Sequence, residues 1–171
     1  YKTDIASEDK ERVKAGRELL FKALDKTIDV GSTNLCGVIH SALQKNQSPK
    51  TAVGYENSLN VIRDLAEKAN KNNVTLSLEV VNRYETNIMN TAQEAMDYIN
   101  DIGDSNVKVH LDTYHMNIEE NNYSEPIKKI GKDKLGMFHF GENHRGYLGS
   151  GHINFEETFN SLRKINYSGI I

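Results

Sequence analysis

The chain has 171 residues, enough for a domain with a substantial hydrophobic core, and carries a formal net charge of −3. This charge argues against a nucleic-acid backbone as the main partner, and no apolar run approaches the roughly 20 residues of a membrane span. With no signal-peptide pattern and with Cys36 as its single cysteine, the chain is expected to be cytoplasmic and to bind neither nucleic acid nor a membrane.

Helical and strand-like patterns alternate along the chain. Apolar residues at helical spacing predict helices from Ser7, after Pro49, from Thr91, over 124–130 and from Asn154. Branched or alternating residues predict strands at 33–40, 73–81, 106–112 and 134–142, with another begun at 168–171. Thr91 and Glu94 have the spacing of a capping box. Strands that alternate with helices in this way predict parallel βαβ units.

This order alone leaves two α/β architectures open, a doubly wound sheet and a β/α barrel. In two strands every second residue is polar and the residues between are apolar. The polar residues are Thr75, Ser77 and Glu79 in one strand, and Lys108, His110 and Asp112 in the other. A polar strand face enclosed by the sheet favours a barrel with a functional mouth.

A complete (β/α)8 TIM barrel needs eight units and typically about 250 residues. We count four whole strands and a fifth just starting, and the chain begins with Tyr1 rather than Met. Residues 1–171 are therefore expected to be a single domain, the C-terminal part of a TIM barrel. This fragment would lack the first strands and the end of the last. A glutamate is expected about four residues beyond Ile171, from the usual strand length.

Glu79, Asp112 and His139 lie at or near the C-terminal ends of successive predicted strands. In a barrel the βα loops converge at this rim, where active sites sit. Two carboxylates and an imidazole suit a divalent cation, with Mn²⁺ or Co²⁺ favoured and Mg²⁺ or Zn²⁺ as alternatives. Taken singly, a strand-end Asp is more often a turn or helix cap, so the metal hypothesis depends on all three occurring together.

Each of these three residues is followed in its loop by a second polar group that would face a substrate: Glu85, His115 and Arg145. Other polar residues receive different interpretations. His110 is expected to line the interior one layer below Asp112. His40 and His144 are predicted to be solvated, and Glu119 and Glu120 to form a solvated acidic stretch.

Three segments resemble a known family: LEVVNRYETNIMNT (78–91), VHLDTYHMNIEE (109–120) and FHFGENHR (138–145). They are similar to the signatures of the ketose 3-epimerases, the D-tagatose 3-epimerase/D-allulose (psicose) 3-epimerase family. This family belongs to the xylose isomerase-like group of TIM barrels. The loop GYLGSGHIN (146–154) departs from many members because it is not Pro-rich.

The resemblance implies a metal held by Glu79, Asp112, His139 and a glutamate of the eighth strand, with Mn²⁺ as the expected ion. It implies substrate contacts from Glu85, His115 and Arg145. The implied reaction is the inversion of carbon 3 of a free ketose through an enediolate, with Glu79 as the base on one face. For the full-length protein we also expect a homo-oligomer.

Several alternatives remain open. An aldose–ketose isomerase, a hydroxypyruvate isomerase or an inosose dehydratase of the same barrel group would share the metal chemistry but move protons differently. A metal-dependent endonuclease of related fold would need more histidines and a basic face, and neither is evident. A third alternative is a fragment that serves only folding or assembly and is inactive.

Overall fold

Four strands pair in parallel and in chain order, β1-β2-β3-β4, in the computed structural model, which describes residues 2–171. The elements are α1 (Lys10–Asp29), β1 (Asn34–Gly37), α2 (Ala52–Lys71), β2 (Thr75–Glu79), α3 (Ala92–Ile102), β3 (Val107–Asp112), α4 (Thr113–Glu119), α5 (Ser124–Lys134), β4 (Leu135–His139) and α6 (Phe155–Lys164). A doubly wound sheet reverses its strand order at a switch point, and this one does not. The order is that of half a β/α barrel, as the polar strand faces predicted.

The apolar residues of the strands form the core beneath the helices. The side chains fully buried in this layer include Leu76, Leu78, Val109, Leu111 and Phe138. The alternate residues of the same strands form the opposite, polar face. Because side chains alternate along a strand, burying one apolar face fixes which residues remain on the other. The sheet therefore presents Glu79 and Asp112 on the face where the sequence predicts them.

The capping box of α3 is present as predicted, whereas α1 begins at Lys10, three residues after the predicted start at Ser7. Asp9 accepts hydrogen bonds from the amides of Glu11 and Arg12 at the start of α1, and Thr91 with Glu94 forms the predicted capping box of α3. The last predicted strand is represented by one isolated bridge, in which Ile170 lies beside Met137 of β4. No helix within residues 2–171 is long and apolar enough to cross a membrane.

The structure corrects the predictions for two histidines and, as described below, for Glu119 and Glu120. His115 is not in a loop but on α4, a seven-residue helix that Asp112 caps by accepting a 2.7 Å hydrogen bond from the amide of Tyr114. His40 is fully buried against Tyr98 rather than solvated, whereas His144 is exposed as predicted.

The pair Glu119 and Glu120 is not a solvated acidic stretch. Glu119 accepts hydrogen bonds from the backbone and guanidinium of Arg83, and its side chain is almost fully buried. Glu120 accepts a 2.7 Å hydrogen bond from the amide of Ala92 at the start of α3. Both carboxylates therefore join the helical segment after β3 to the segment after β2.

Candidate active site

Three ionisable side chains meet where the strands end. Glu79 ends β2, Asp112 ends β3 and His139 ends β4, and the sheet register pairs Asp112 directly with His139. The Oδ2 atom of Asp112 lies 3.7 Å from Nδ1 of His139. Parallel pairing brings these ends to one edge because the strands run in the same direction. The rim predicted from the sequence is thus present in the fold.

Two sets of three potential metal ligands occur among residues 2–171, each with its donor atoms within 4.8 Å of one another. One set is Glu79, Asp112 and His115, and the other is Glu79, His110 and His139. Every pair of the three predicted ligands is therefore close. The predicted trio is not itself one of these two sets, so its assignment as the metal-binding set remains a prediction.

The carboxylates of this cluster are held in an unfavourable environment for negative charge. Burial, and then the neighbouring charges of Asp112 and Glu85, raise the pKa of Glu79 to about 7, against the lowering effect of Arg145. Burial also raises the pKa of Asp112, although the hydrogen bond from Tyr114 opposes the shift. A cation placed between the two carboxylates would relieve both effects.

Two histidines of the cluster are kept neutral by burial. The side chain of His115 is only 4% exposed, and its Nε2 atom lies 3.7 Å from Oε1 of Glu79. Burial and then the charge of Arg145 lower the pKa of His115 to about 4.

His110 is fully buried and lines the interior, as predicted. Burial lowers its pKa to about 3, and its Nδ1 atom lies 3.9 Å from Oε2 of Glu79. Within the described chain, neither ring nitrogen of His110 has a hydrogen-bond partner.

Two of the three residues predicted to contact substrate, Glu85 and Arg145, form a second group beside this cluster. Oε1 of Glu85 accepts a 3.0 Å hydrogen bond from Nη2 of Arg145, whose guanidinium lies 4.1 Å from the centre of the Tyr114 ring. Arg145 also adopts a φ of +57°, in the left-handed region that costs energy for a side chain with a Cβ atom. The fold thus brings Glu85 and Arg145 together over the cluster.

Sequence reasoning missed Asn82, which connects these two groups. Its side chain is 1% exposed, and its amide nitrogen lies 2.8 Å from Nδ1 of His115 and 3.2 Å from Oε1 of Glu85. The available signal was its position, three residues after Glu79 in a segment where a solvated loop residue would be expected.

Glu142 was also missed, and it organises the loop that carries Arg145. Burial raises the pKa of this carboxylate, but hydrogen bonds from the amides of Gly149, Asn143, Gly151 and Ile153 outweigh burial and hold the pKa below its usual value. The backbone carbonyl of Glu142 accepts a 2.9 Å hydrogen bond from the amide of Arg145. A Cβ atom at Gly151 would displace the side-chain oxygens of Asn143 and Glu142, which accept hydrogen bonds from this loop.

Residues 1–171 match the family described as xylose isomerase-like TIM barrel. The chain is 46% identical over 167 residues to a ketose 3-epimerase of Arthrobacter globiformis, covering 98% of this chain and 57% of the relative. It is 45% identical over 169 residues to an L-ribulose 3-epimerase of Methylomonas sp. (strain DH-1), covering 99% of this chain and 59% of the relative.

The structural comparison agrees with the sequence comparison. A crystal structure of D-allulose 3-epimerase from Methylomonas sp. in complex with D-allulose superposes with a TM-score of 0.97 at 45% identity. The superposition covers 99% of this chain and 59% of that chain. The chain therefore spans between half and two thirds of the length of the relatives it matches.

Proposed function

The chain belongs to the xylose isomerase-like TIM barrel family, and we propose that its protein is a metal-dependent epimerase that inverts carbon 3 of a free ketose. The observation that carries the proposal is the environment of Glu79. This carboxylate is only 16% exposed at the rim, has a pKa raised to about 7, and its Oε1 atom lies 3.7 Å from Nε2 of the neutral His115. Similarity to a ketose 3-epimerase and an L-ribulose 3-epimerase supports the same reaction class.

The residues of the rim fit a divalent cation. Two partly buried carboxylates, Glu79 and Asp112, have raised pKa values and provide negative charge, and His110 and His139 provide imidazole nitrogens beside them. Glu79, Asp112 and His139 would hold the ion, for which Mn²⁺ is proposed, with Co²⁺ or Mg²⁺ as alternatives. When bound, the cation would supply Lewis-acid stabilisation of negative charge on the ketose oxygens.

Glu79 would act as the base that removes the proton from carbon 3. A carboxylate whose pKa is about 7 accepts a proton more readily than an exposed glutamate, and near neutral pH it can also return one. Removal leaves a planar enediolate. Inversion then requires an acid on the opposite face, for which the sequence analysis expects a further glutamate.

The remaining predicted residues would bind the sugar. A neutral His115 can donate a hydrogen bond to an oxygen on which negative charge develops, and the guanidinium of Arg145 can do the same from the loop above. Glu85 would accept a hydrogen bond from a hydroxyl at the end of the substrate while it holds Arg145 in place. These groups would fix the orientation in which carbon 3 faces Glu79.

The proposal is tested by hydrogen exchange from solvent. The protein is incubated with Mn²⁺ in D₂O with D-fructose, D-allulose or L-ribulose, and deuterium is located by NMR. An epimerase places deuterium at carbon 3 and forms the 3-epimer, whereas an aldose–ketose isomerase exchanges hydrogen at carbon 1. Glu79→Gln is the matched control and should abolish exchange. Exchange at carbon 1 alone, or with none of the ketoses, contradicts the proposal.

We also propose a substrate, a cellular compartment and an oligomeric state for the protein. Its partner would be a small ketose. The protein would act in the cytoplasm, for which its single cysteine is the available support. The full-length protein would form a homo-oligomer, which sedimentation would measure.

A further inference from the structure

We propose that Asn82 is a positioning residue that fixes His115 as its Nε2–H tautomer and so makes His115 a hydrogen-bond donor rather than a metal ligand. The part of this inference that concerns substrate rests on the proposed function. The part that concerns the tautomer rests on the hydrogen bonds alone.

Two donors from Asn82 converge on one ring nitrogen. The backbone N–H of Asn82 lies 3.1 Å from Nδ1 of His115, and the side-chain amide nitrogen lies 2.8 Å from the same atom. A backbone N–H can only donate, so Nδ1 must accept and cannot carry a proton. A neutral imidazole has one N–H, which must then be on Nε2.

The orientation of the Asn82 amide is fixed by its other partners. Its Oδ1 atom accepts a 2.9 Å hydrogen bond from the backbone N–H of Tyr84, which has no lone pair to offer in return. Its Nδ2 atom also donates to Oε1 of Glu85 at 3.2 Å. Exchanging the oxygen and nitrogen would set donor against donor and acceptor against acceptor, so the hydrogen-bond network assigns this amide.

This tautomer decides between the two candidate ligand sets. With its proton on Nε2, His115 presents an N–H toward Oε1 of Glu79, and that nitrogen has no lone pair for a cation. The set of Glu79, Asp112 and His115 therefore loses its nitrogen donor. His139 remains as the imidazole beside Asp112, at 3.7 Å.

The same amide connects all three groups assigned to the substrate. Asn82 binds His115 and Glu85 directly, and Glu85 in turn holds Arg145 at 3.0 Å. The adjacent residue, Arg83, secures the arrangement from outside, because its guanidinium donates to Oε1 of Glu119 from Nε at 3.0 Å and to Oε2 from Nη2 at 2.6 Å. Glu119 is on the same helix as His115, so this ion pair fixes α4 against the segment that carries Asn82.

Substitutions of Asn82 distinguish an effect on the His115 tautomer from the effect of losing side-chain volume. Asn82→Asp keeps the shape but replaces the Nδ2 donor by a carboxylate, which favours a proton on Nδ1 of His115. Asn82→Ala removes the side chain yet leaves the backbone donor in place. The larger effect is therefore expected from the isosteric variant, which is the opposite of what a purely steric role predicts. A wrong tautomer of a catalytic histidine can cost on the order of 10⁴-fold in kcat.

The first readout is ¹⁵N NMR of histidine-labelled protein at neutral pH, metal-free and loaded with diamagnetic Mg²⁺, with His115 assigned from the spectrum of His115→Gln. Wild type should show a protonated Nε2 and an unprotonated Nδ1, and Asn82→Asp should change this pattern. The matched control is Asn90→Asp in the same segment, whose side chain donates to the carbonyls of Val81 and Thr86. It should leave the His115 signals unchanged.

The second readout is turnover of ketose. Asn82→Asp should lower kcat by about 10²-fold or more with little change in KM, and Asn82→Ala should lower it less. A protonated Nδ1 in wild type, or an Asn82→Asp spectrum identical to wild type, would overturn the inference. Correct tautomers in a protein that epimerises no ketose would instead refute the proposed function and leave the assignment of His115 intact.

Discussion

The two ends of β2 lie on the same polar face of the sheet but are built differently. On the N-terminal side of Glu79, the hydroxyl of Ser77 donates to Oδ1 of Asn34 at 2.8 Å, and that of Thr75, the first residue of β2, donates to Oδ1 of Asn106 at 3.3 Å. At the C-terminal end, Glu79 faces Asp112 and Glu85 and has a raised pKa. One end consists of neutral groups that satisfy one another, and the other of ionisable groups that do not.

A cavity and the ionisable cluster lie at opposite ends of this sheet. A cavity of about 380 Å³ opens at the N-terminal ends of the strands, lined in part by Asn34, Thr75 and Lys108. Three groups with shifted pKa values, Glu79, His110 and His115, instead lie together at the opposite end. Shifted carboxyl and imidazole groups that lie together are common at active sites, so the electrostatics support the proposed site.

The largest effect is expected from His115→Ala. Losing this donor should lower kcat for ketose epimerisation by on the order of 10²–10⁴-fold, the usual worth of a positioned acid–base group. Mn²⁺ affinity should change little, because the protonated Nε2 does not bind the ion. Ser77→Ala, at the other end of the same polar face, is the control and should keep its kcat. A variant that loses the metal but retains normal residual chemistry would count against this assignment.

The second prediction concerns Glu79→Gln, which should abolish activity but increase the stability of the metal-free protein. The pKa of Glu79 is about 7 in the folded protein against an ordinary 4.5, so between these values the folded state holds a proton that the unfolded state has released. The free energy of unfolding of the metal-free protein therefore falls as pH rises through this window, and the cost is fully present above pH 7.

Glu79→Gln removes that cost. The metal-free variant should be more stable than wild type above pH 7, by on the order of 1–3 kcal/mol, and no more stable below pH 4.5. At acidic pH, His110 and His115 make the free energy of unfolding rise with pH in both proteins. Their contributions therefore largely cancel in the stability difference between Glu79→Gln and wild type. Urea unfolding at several pH values measures this, and a variant less stable than wild type above pH 7 would contradict the account.

The smallest effect is expected at the N-terminal end. Ser77→Ala should destabilise the protein by about 0.5–1.5 kcal/mol, because it removes the hydrogen bond from the buried Ser77 to Oδ1 of the half-buried Asn34. The loss should not depend on pH, since neither group titrates. Urea unfolding of this variant beside Glu79→Gln compares two positions on one face of one strand. Equal pH dependence in the two variants would remove the distinction between the ends.

The sequence predicted the elements that periodicity and capping residues encode. It placed Glu79, Asp112 and His139 at strand ends, and parallel pairing brought those ends together. It missed α4, because the helix is only seven residues long and its cap is Asp112, a residue already interpreted as a metal ligand.

Long-range contacts explain the remaining misses. Asn82 and His115 are 33 positions apart, and the burial of Glu119 depends on Arg83, 36 positions away. No local pattern encodes such pairs. Sequence reasoning could therefore locate the rim and assign His139 and His115 different expected roles, but it could not give the contacts of Asn82 with Nδ1 of His115.

The most direct test of the account is an Mn²⁺ titration of wild type, Asp112→Asn, His139→Ala and His115→Ala, followed by electron paramagnetic resonance of the free ion. Asn can still accept the hydrogen bond that caps α4, so Asp112→Asn changes the charge and keeps the helix. We predict that Asp112→Asn and His139→Ala weaken Mn²⁺ binding by more than about 10–100-fold, the usual cost of losing a group that only orients a ligand. His115→Ala should bind nearly as wild type does. Loss of binding in His115→Ala with retention in His139→Ala would contradict the account.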